Sequence, residues 1–248
     1  NRRMQDIGTT TYCAVLAGGV GTRMNSPIPK QFLMLGDAPV FIHGVRTLLA
    51  EPQIKELWVG SNGDWYSLAE EQIHAFLKDD GRVRLCEGGT DREGTLMNIL
   101  AAICRENEIG EDDIVLIHDA VRPFVTGRII RDLIKEMAFC EACNTVIPVN
   151  DTIIRSINGT EVADIPARSE LFAGQSPQGF RIKTLLNAFR NLDADTRSKL
   201  TETTKACFVQ GIPVHIVRGE LYNFKITSQF DFQLAEYVCR HLNELRPL

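Results

Sequence analysis

The 248-residue sequence has no run of basic residues, and its net charge at pH 7 is −5. Nucleic-acid binding as a main task is excluded on that ground, because it needs a basic stripe or patch. No apolar stretch nears the roughly 20 residues that a membrane-spanning helix requires, so no membrane association is expected. Residues 1–11 carry Arg2 and Arg3 but no apolar segment of signal-peptide type. They are expected to form a flexible leader, with Met4 as an alternative start. Cysteines number seven and lie scattered. An odd count without a framework reads as reduced thiols in the cytoplasm. Cys140 and Cys143 form the one C-x-x-C motif, with no second pair or His at zinc spacing, so packing is favoured over metal or redox use. Two nucleotide fingerprints are missing too. No Gly-Lys-Ser/Thr of a P-loop occurs, and Gly19-Val20-Gly21-Thr22-Arg23 runs into Met24 where a dinucleotide fold needs Gly or Ala.

What remains is an ordinary globular composition, 44% hydrophobic and 24% charged, on a chain long enough for one large α/β domain or two small ones. Its organising stretch is Leu16-Ala17-Gly18-Gly19-Val20-Gly21-Thr22-Arg23-Met24, continuing to Pro27-Ile28-Pro29-Lys30-Gln31. An apolar run over 13–16 predicts a first buried strand. Three glycines follow within four residues, then two cations, Arg23 and Lys30. Glycine lets backbone N–H groups come close to a ligand, and the prolines keep the segment extended. Bare backbone and fixed cations suit a polyphosphate. The plainer alternative is a tight strand-to-helix turn with solvated charges.

Apolar periodicity predicts helices over 40–49, 65–77, 95–107 and 129–139, alternating with strands over 54–60, 83–86 and 114–117. This alternation implies a mostly parallel sheet with helices on both faces, a Rossmann-like α/β fold. Such sheets bind ligands beyond the carboxyl ends of their strands. Three loops fall there: residues 18–30, 88–95 and 118–123. In the last, Asp119 follows a buried strand directly, either as a cap or Arg122 partner, or as a Mg²⁺ ligand at a phosphate. His118 reads as a packed, hydrogen-bonded neighbour rather than a base. A fifth strand is expected over 145–149. Beyond it, Asn158-Gly159 between β-prone runs over 151–157 and 160–165 predicts a hairpin. A lone hairpin is marginal in water, so its isoleucines call for cover, from the same domain or, as favoured here, from a second subunit in a homodimer. Helices over 182–190, 198–209 and 228–242 and a strand over 213–217 complete the pattern. Lys225 lies just before the last helix, either solvated or reaching a phosphate.

The motifs AGGVGTRM…PKQF, EGGTDR, HDAVRP, DT, an Arg before SPQ, and NFKIT occur in one order from about Cys13 to Tyr237. In this the chain resembles the cytidylyltransferases of the 2-C-methyl-D-erythritol 4-phosphate and ribitol 5-phosphate type. Ala17-Gly18-Gly19 and the DIPAR, GQSPQ and GELYNFKIT wording look more like the ribitol 5-phosphate branch. The resemblance implies a single nucleotidyltransferase domain over 12–248 with a protruding β-hairpin arm at about 150–168, working as a homodimer. It implies CTP and an alditol phosphate, D-ribitol 5-phosphate, as substrates, with Mg²⁺ as cofactor and CDP-ribitol and pyrophosphate as products. The alternative acceptor is 2-C-methyl-D-erythritol 4-phosphate. By motif position, Ala17, Gly18, Gly19 and Gly21 would line the nucleotide loop, and Arg23 and Lys30 would hold the triphosphate. Gly89, Thr90 and Thr95 would face cytosine and ribose, with Ala120 beside the metal ligand Asp119. Arg122, Arg168, Ser176 and Lys225 would hold the acceptor, and Thr152 would reach in from the other subunit. Thr90 stands where the erythritol-phosphate enzymes often carry Asp near the base. An attacking phosphate is already anionic, so this chemistry needs no general base and no catalytic Cys. A non-catalytic CTP-sensing module is disfavoured by the full charge set of Arg23, Lys30, Asp119 and Lys225. A dinucleotide-dependent oxidoreductase is disfavoured by the missing fingerprint.

Overall fold

The computed structural model describes residues 8–19, 26–78 and 80–245. Its centre is β1 (Thr11–Ala17), a strand whose two sides enter different cores. Cys13, Val15 and Ala17 join one apolar cluster, and Tyr12, Ala14 and Leu16 join the other. Period-2 side chains buried on both faces explain why this strand reads as an unbroken apolar run. After a 3₁₀ turn at Lys30–Phe32, a two-stranded ribbon of β2 (Met34–Leu35) and β3 (Ala38–Pro39) leads into α1 (Val40–Leu49). Then come β4 (Ile54–Ser61), α2 (Tyr66–Leu77), β5 (Val83–Glu87), α3 (Arg92–Glu106), β6 (Ile114–Asp119), α4 (Gly127–Glu136) and β7 (Ala142–Pro148). The rest of the chain gives β8 (Phe172–Gly174), β9 (Gln178–Arg181), α5 (Ile182–Asn191), α6 (Ala194–Ser198), α7 (Thr204–Phe208), β10 (Val214–Arg218) and α8 (Gln229–Leu245).

Among the described residues the main sheet has eight strands in the order β10-β7-β9-β6-β1-β4-β5, with β8 also paired to β7. β1 pairs parallel with β4 on one side and β6 on the other. The chain runs outward from β1 to β4 and β5, and α3 then carries it back to β6. Strand order therefore reverses at β1, the place where open α/β sheets form a ligand crevice. Side chains of α1, α2 and α4 fill one core, and those of α3, α5 and α7 fill the other. A third cluster joins α8, through Ala235 and Val238, to Leu35, Val40, Val121 and Ile226.

The mostly parallel α/β architecture expected from the alternation is present, and beyond a few short added elements it differs in four respects. First, β9 lies antiparallel between β6 and β7, where no strand was predicted. Second, of the helix expected over 198–209 only α7 (Thr204–Phe208) forms, with α6 ending at Ser198, because residues between the two turn inward to bond other elements. Gln178 donates to the Glu202 carboxylate, and Arg92 Nη1 donates to Thr203 Oγ1 at 2.6 Å. Third, α3 begins at Arg92, three residues before its predicted start, because the Asp91 side chain caps it by accepting from Gly94 N–H at 2.7 Å. Fourth, the predicted hairpin keeps its Asn158-Gly159 turn, with Gly159 at φ +79°, but pairs its flanks only at Arg155 and Asp164. Among the described residues nothing covers Ile153, Ile154, Ile157, Val162 and Ile165, all of which are exposed. An uncovered two-stranded ribbon gains too little burial to extend its ladder.

Candidate active site

The carboxyl ends of β1, β4, β5 and β6 deliver Gly18, Asn62, the 88–95 loop and Asp119 to one end of the sheet. Here a cleft of about 350 Å³ is lined by Gly18, Gly19, Lys30, Thr90, Thr95, Asp119 and Lys225, among others. Seven of the residues singled out in sequence thus line one cleft. Backbone packing brings its walls together. A Cβ on Gly18 would lie 2.5 Å from Thr95 Oγ1, and a Cβ on Gly89 would lie 2.5 Å from the Gly94 carbonyl carbon. Glycine at these positions is therefore a condition of the loops meeting. Thr95 is buried, and its hydroxyl accepts from Gly89 N–H and donates to the Asp91 carbonyl. Gln31 ties the first loop down, donating through Nε2 to the carbonyls of Ala17 and Gly19 at 2.8 and 2.7 Å.

Asp119 is the charged centre. Arg92 Nη2 lies 3.3 Å from its Oδ1, while Arg122 Nε at 3.4 Å and Lys225 Nζ at 3.5 Å face its Oδ2. Burial raises the Asp119 pKa, but the Arg92, Lys225 and Arg122 charges outweigh it and hold the carboxyl below its usual range. Three cations around one carboxylate leave a local excess of positive charge, to which Lys30 adds. Such a field attracts a polyanion. Arg122 is nearly buried. It donates to the Asn223 carbonyl at 2.8 Å, so it braces the site from beneath the cleft wall.

Beneath Asp119 a fully buried polar chain runs through the fold. The Asp119 backbone N–H donates to Ser176 Oγ at 3.1 Å, and Ser176 Oγ lies 2.9 Å from His118 Nδ1. His118 Nε2 lies 3.0 Å from the Arg122 carbonyl. Burial pushes the His118 pKa down to about 4, so the ring is neutral near pH 7. Because Nε2 must donate to a carbonyl, Nδ1 accepts, and the Ser176 hydroxyl supplies that hydrogen.

The remaining sequence candidates lie apart from the cleft or outside the description. Ala17 and Ala120 are buried, with Ala120 N–H donating to the Leu16 carbonyl at 3.2 Å. Ser176 is buried under Asp119 and does not line the cleft. Thr152 and Arg168 are exposed on the arm, where Arg168 Nη1 donates to the Asn150 carbonyl. Gly21 and Arg23 lie outside the described residues. Arg92, Gln31 and Asn223 were given no role in sequence. Arg92 had one readable signal, its place in the second Gly-rich loop. Asn223, buried and donating to the Ser176 carbonyl at 2.9 Å, had only its place at the head of the NFKIT motif.

Among the described residues no group of three His, Cys, Asp or Glu side chains is placed to hold a metal ion. Two carboxylates line the cleft, Asp119 and Asp91, and Asp91 is committed to the cap of α3. That donor set does not suit a protein-built cage, but it fits an ion that draws most of its ligands from phosphate and water, as Mg²⁺ does. No helix among the described residues is long and apolar enough to cross a membrane.

Residues 12–241 match the sequence model of the IspD family, 2-C-methyl-D-erythritol 4-phosphate cytidylyltransferase. The chain is 44% identical over 225 residues to a ribitol-5-phosphate cytidylyltransferase of Lactiplantibacillus plantarum, covering 90% of this chain and 96% of that protein. Its fold is similar to the crystal structure of 4-diphosphocytidyl-2C-methyl-D-erythritol synthase from Anaerococcus prevotii. There the TM-score is 0.80 at 24% identity, over 94% of this chain and 96% of the other. It is also similar to the 2-C-methyl-D-erythritol 4-phosphate cytidylyltransferase of Francisella tularensis, with a TM-score of 0.76 at 24% identity, over 92% of this chain and 99% of the other. The family model spans nearly all of the sequence, and a relative well above 30% identity aligns along almost its whole length, so the chain belongs to the IspD family of cytidylyltransferases.

Proposed function

We propose that the protein transfers the cytidylyl group of CTP to D-ribitol 5-phosphate, giving CDP-ribitol and pyrophosphate. The observation that carries this reading is the cleft itself, where Lys30, Arg92 and Lys225 share the lining with Asp119, two of them paired to its carboxylate, beside the bare backbone of Gly18 and Gly19. The ribitol acceptor is taken from the 44%-identical relative, and 2-C-methyl-D-erythritol 4-phosphate, named by the family model, is the second reading.

In the reaction, an oxygen of the acceptor phosphate forms a bond to the α-phosphorus of CTP, the bond from that phosphorus to the α–β bridging oxygen breaks, and that oxygen leaves with the β- and γ-phosphates as pyrophosphate. The nucleophile already carries its charge, so the residues must align two anions and neutralise charge on the leaving group. Gly18, Gly19 and the Gly89–Thr95 loop bind the nucleoside. Lys30, with Arg23, holds the triphosphate. Lys225 orients the acceptor phosphate, and Arg92 and Arg122 keep Asp119 ionised and fixed. Asp119 would hold Mg²⁺, which when bound offsets phosphate charge at the α-position. Thr152 and Arg168 serve the acceptor from the arm of a second subunit, and the cytoplasm is the place of action.

Purified protein with CTP and Mg²⁺ is given D-ribitol 5-phosphate, 2-C-methyl-D-erythritol 4-phosphate or no acceptor, and pyrophosphate is followed. Release with ribitol 5-phosphate alone is the expected result. Release with the erythritol phosphate alone replaces the acceptor, and silence in all three arms removes the catalytic reading. A metal chelator should stop release.

A further inference from the structure

The buried chain of hydrogen bonds beneath Asp119 involves two residues that do not line the cleft. Ser176 is 1% exposed, and its hydroxyl hydrogen is committed to His118 while one lone pair accepts the Asp119 N–H. A group so engaged, behind the wall, is poorly placed to greet an acceptor. His118 is equally buried, and its other nitrogen reaches the Arg122 carbonyl three residues beyond Asp119. The two residues therefore hold the backbone at Asp119 itself and on its far side at Arg122.

The surrounding packing is arranged for that ring. Gly44 lies within α1, where glycine is a poorer helix former than alanine. A Cβ there would sit 3.0 Å from His118 Nε2, 3.2 Å from Cδ2 and 3.4 Å from the Arg122 carbonyl oxygen. Helix α1 thus approaches the hydrogen bond itself, and the missing methyl is the room that the ring needs. On the opposite side Asn223 Nδ2 donates to the Ser176 carbonyl at 2.9 Å, and the Asn223 carbonyl accepts from Arg122. Asn223 is two residues from Lys225. The same buried set therefore fixes both the carboxylate and the lysine that faces it.

We propose that His118 and Ser176 are positioning residues for cytidylyl transfer, a two-residue relay from the Asp119 N–H to the Arg122 carbonyl that aims the Asp119 carboxylate into the cleft. The proposal rests on the transferase reading above, and it assigns Ser176 to the support of Asp119 instead of to acceptor binding.

The test is a set of variants, Ser176→Ala, His118→Asn, their double, and Ser176→Thr, with Gly44→Ala as an independent way to displace the ring. Each single removal should lower kcat roughly tenfold or more, because small misplacements of reacting groups are costly. KM for CTP and acceptor should stay within about threefold, the mark of an interaction felt in the transition state. The double variant should lose no more than the worse single, since both cut one relay. Ser176→Thr keeps the hydroxyl and should recover most of the rate. Gly44→Ala should fold and lower kcat in the same way.

Amide hydrogen exchange by NMR gives a readout that needs no turnover. The Asp119 N–H should be protected in the wild type and exchange faster in Ser176→Ala and His118→Asn, while amides of β1 and β4 stay unchanged. If the wild-type protein turns over neither acceptor, the transferase reading falls, and exchange at Asp119 still decides whether the relay exists. Three results overturn the proposal: a raised acceptor KM with kcat retained in Ser176→Ala, single effects that multiply in the double, or unchanged exchange at Asp119.

Discussion

Lys30 shows how one side chain becomes specific through its surroundings. It stands in a 3₁₀ turn right after Pro29, with Gln31 beside it bonded to the two carbonyls of the first loop. Its ammonium therefore belongs to a fixed wall of the cleft. Lys30→Ala should lower turnover about a hundredfold or more with an unchanged circular dichroism spectrum, and near-normal turnover would remove Lys30 from the mechanism. At this scale the sequence was legible where chemistry and position coincide. Asp119 ends a buried strand, and a carboxylate there has few roles. Arg92 was less legible, because its role depends on reaching both Asp119 and Thr203, residues 27 and 111 positions away. The burial of Ser176 was not readable at all, because a serine after Gln175 and before Pro177 carries no sign of facing inward.

Whole elements were legible in proportion to how far local pattern determined them. β1, β4 and β6 are buried over most of their length, and each shows as an apolar run. β9 was hidden, because Gln178-Gly179-Phe180-Arg181 carries the glycine of a turn. Gly179 is there for another reason. A Cβ on it would meet Met137 Sδ at 2.9 Å, so the strand lies hard against the end of α4. The second glycine-rich loop obeys the same logic. Gly89→Ala would drive a methyl into the backbone of Gly94, and the chain cannot yield there as a side chain would. It should lower the melting temperature and abolish CTP binding, as scanning calorimetry and CTP titration would report.

The start of α8 offers a second prediction for elements. The Asp231 carboxylate accepts from Thr227 N–H, Thr227 Oγ1 and Ser228 N–H at 2.8, 2.6 and 2.8 Å. Burial raises its pKa, but the Thr227 and Ser228 bonds prevail and leave it below the usual value. Asp231→Ala should cost about 1 kcal/mol, the scale of a lost helix cap. Since the folded pKa is depressed, the contribution of Asp231 is complete above the unfolded carboxyl value of about 4 and disappears as pH falls through the folded one. Melting curves of wild type and Asp231→Ala should thus differ at pH 7 and converge in acid; a constant gap would assign the effect to something other than the carboxylate.

At the scale of the whole molecule, the arm is the part that does not explain itself. Five large apolar side chains protrude on a segment held by one backbone bridge. A second subunit would give them cover. Ile154→Asp combined with Ile157→Asp should halve the mass seen by sedimentation while leaving the melting temperature of the α/β body almost unchanged, because neither side chain touches its core. A wild-type protein that sediments as one chain at micromolar concentration would end the dimer reading. The arm's failure to pair fully was not visible in the Asn-Gly signal, which specifies a turn and says nothing about what will cover the strands that leave it.

The position of β9 also governs the order in which the molecule can be completed. Translation delivers β1, β4, β5 and β6 first, then β7, yet β6 and β7 have no direct ladder with each other; the four residues 178–181 join them. Until those residues leave the ribosome, the nascent chain holds a β6 edge with no partner and a β7 strand covered only at one end by β8, a state prone to association with other chains. Emergence of a short, glycine-bearing segment is therefore the event that turns two separate pieces of sheet into one, and the gap of some thirty residues between β7 and β9 is a window in which a chaperone has most to do.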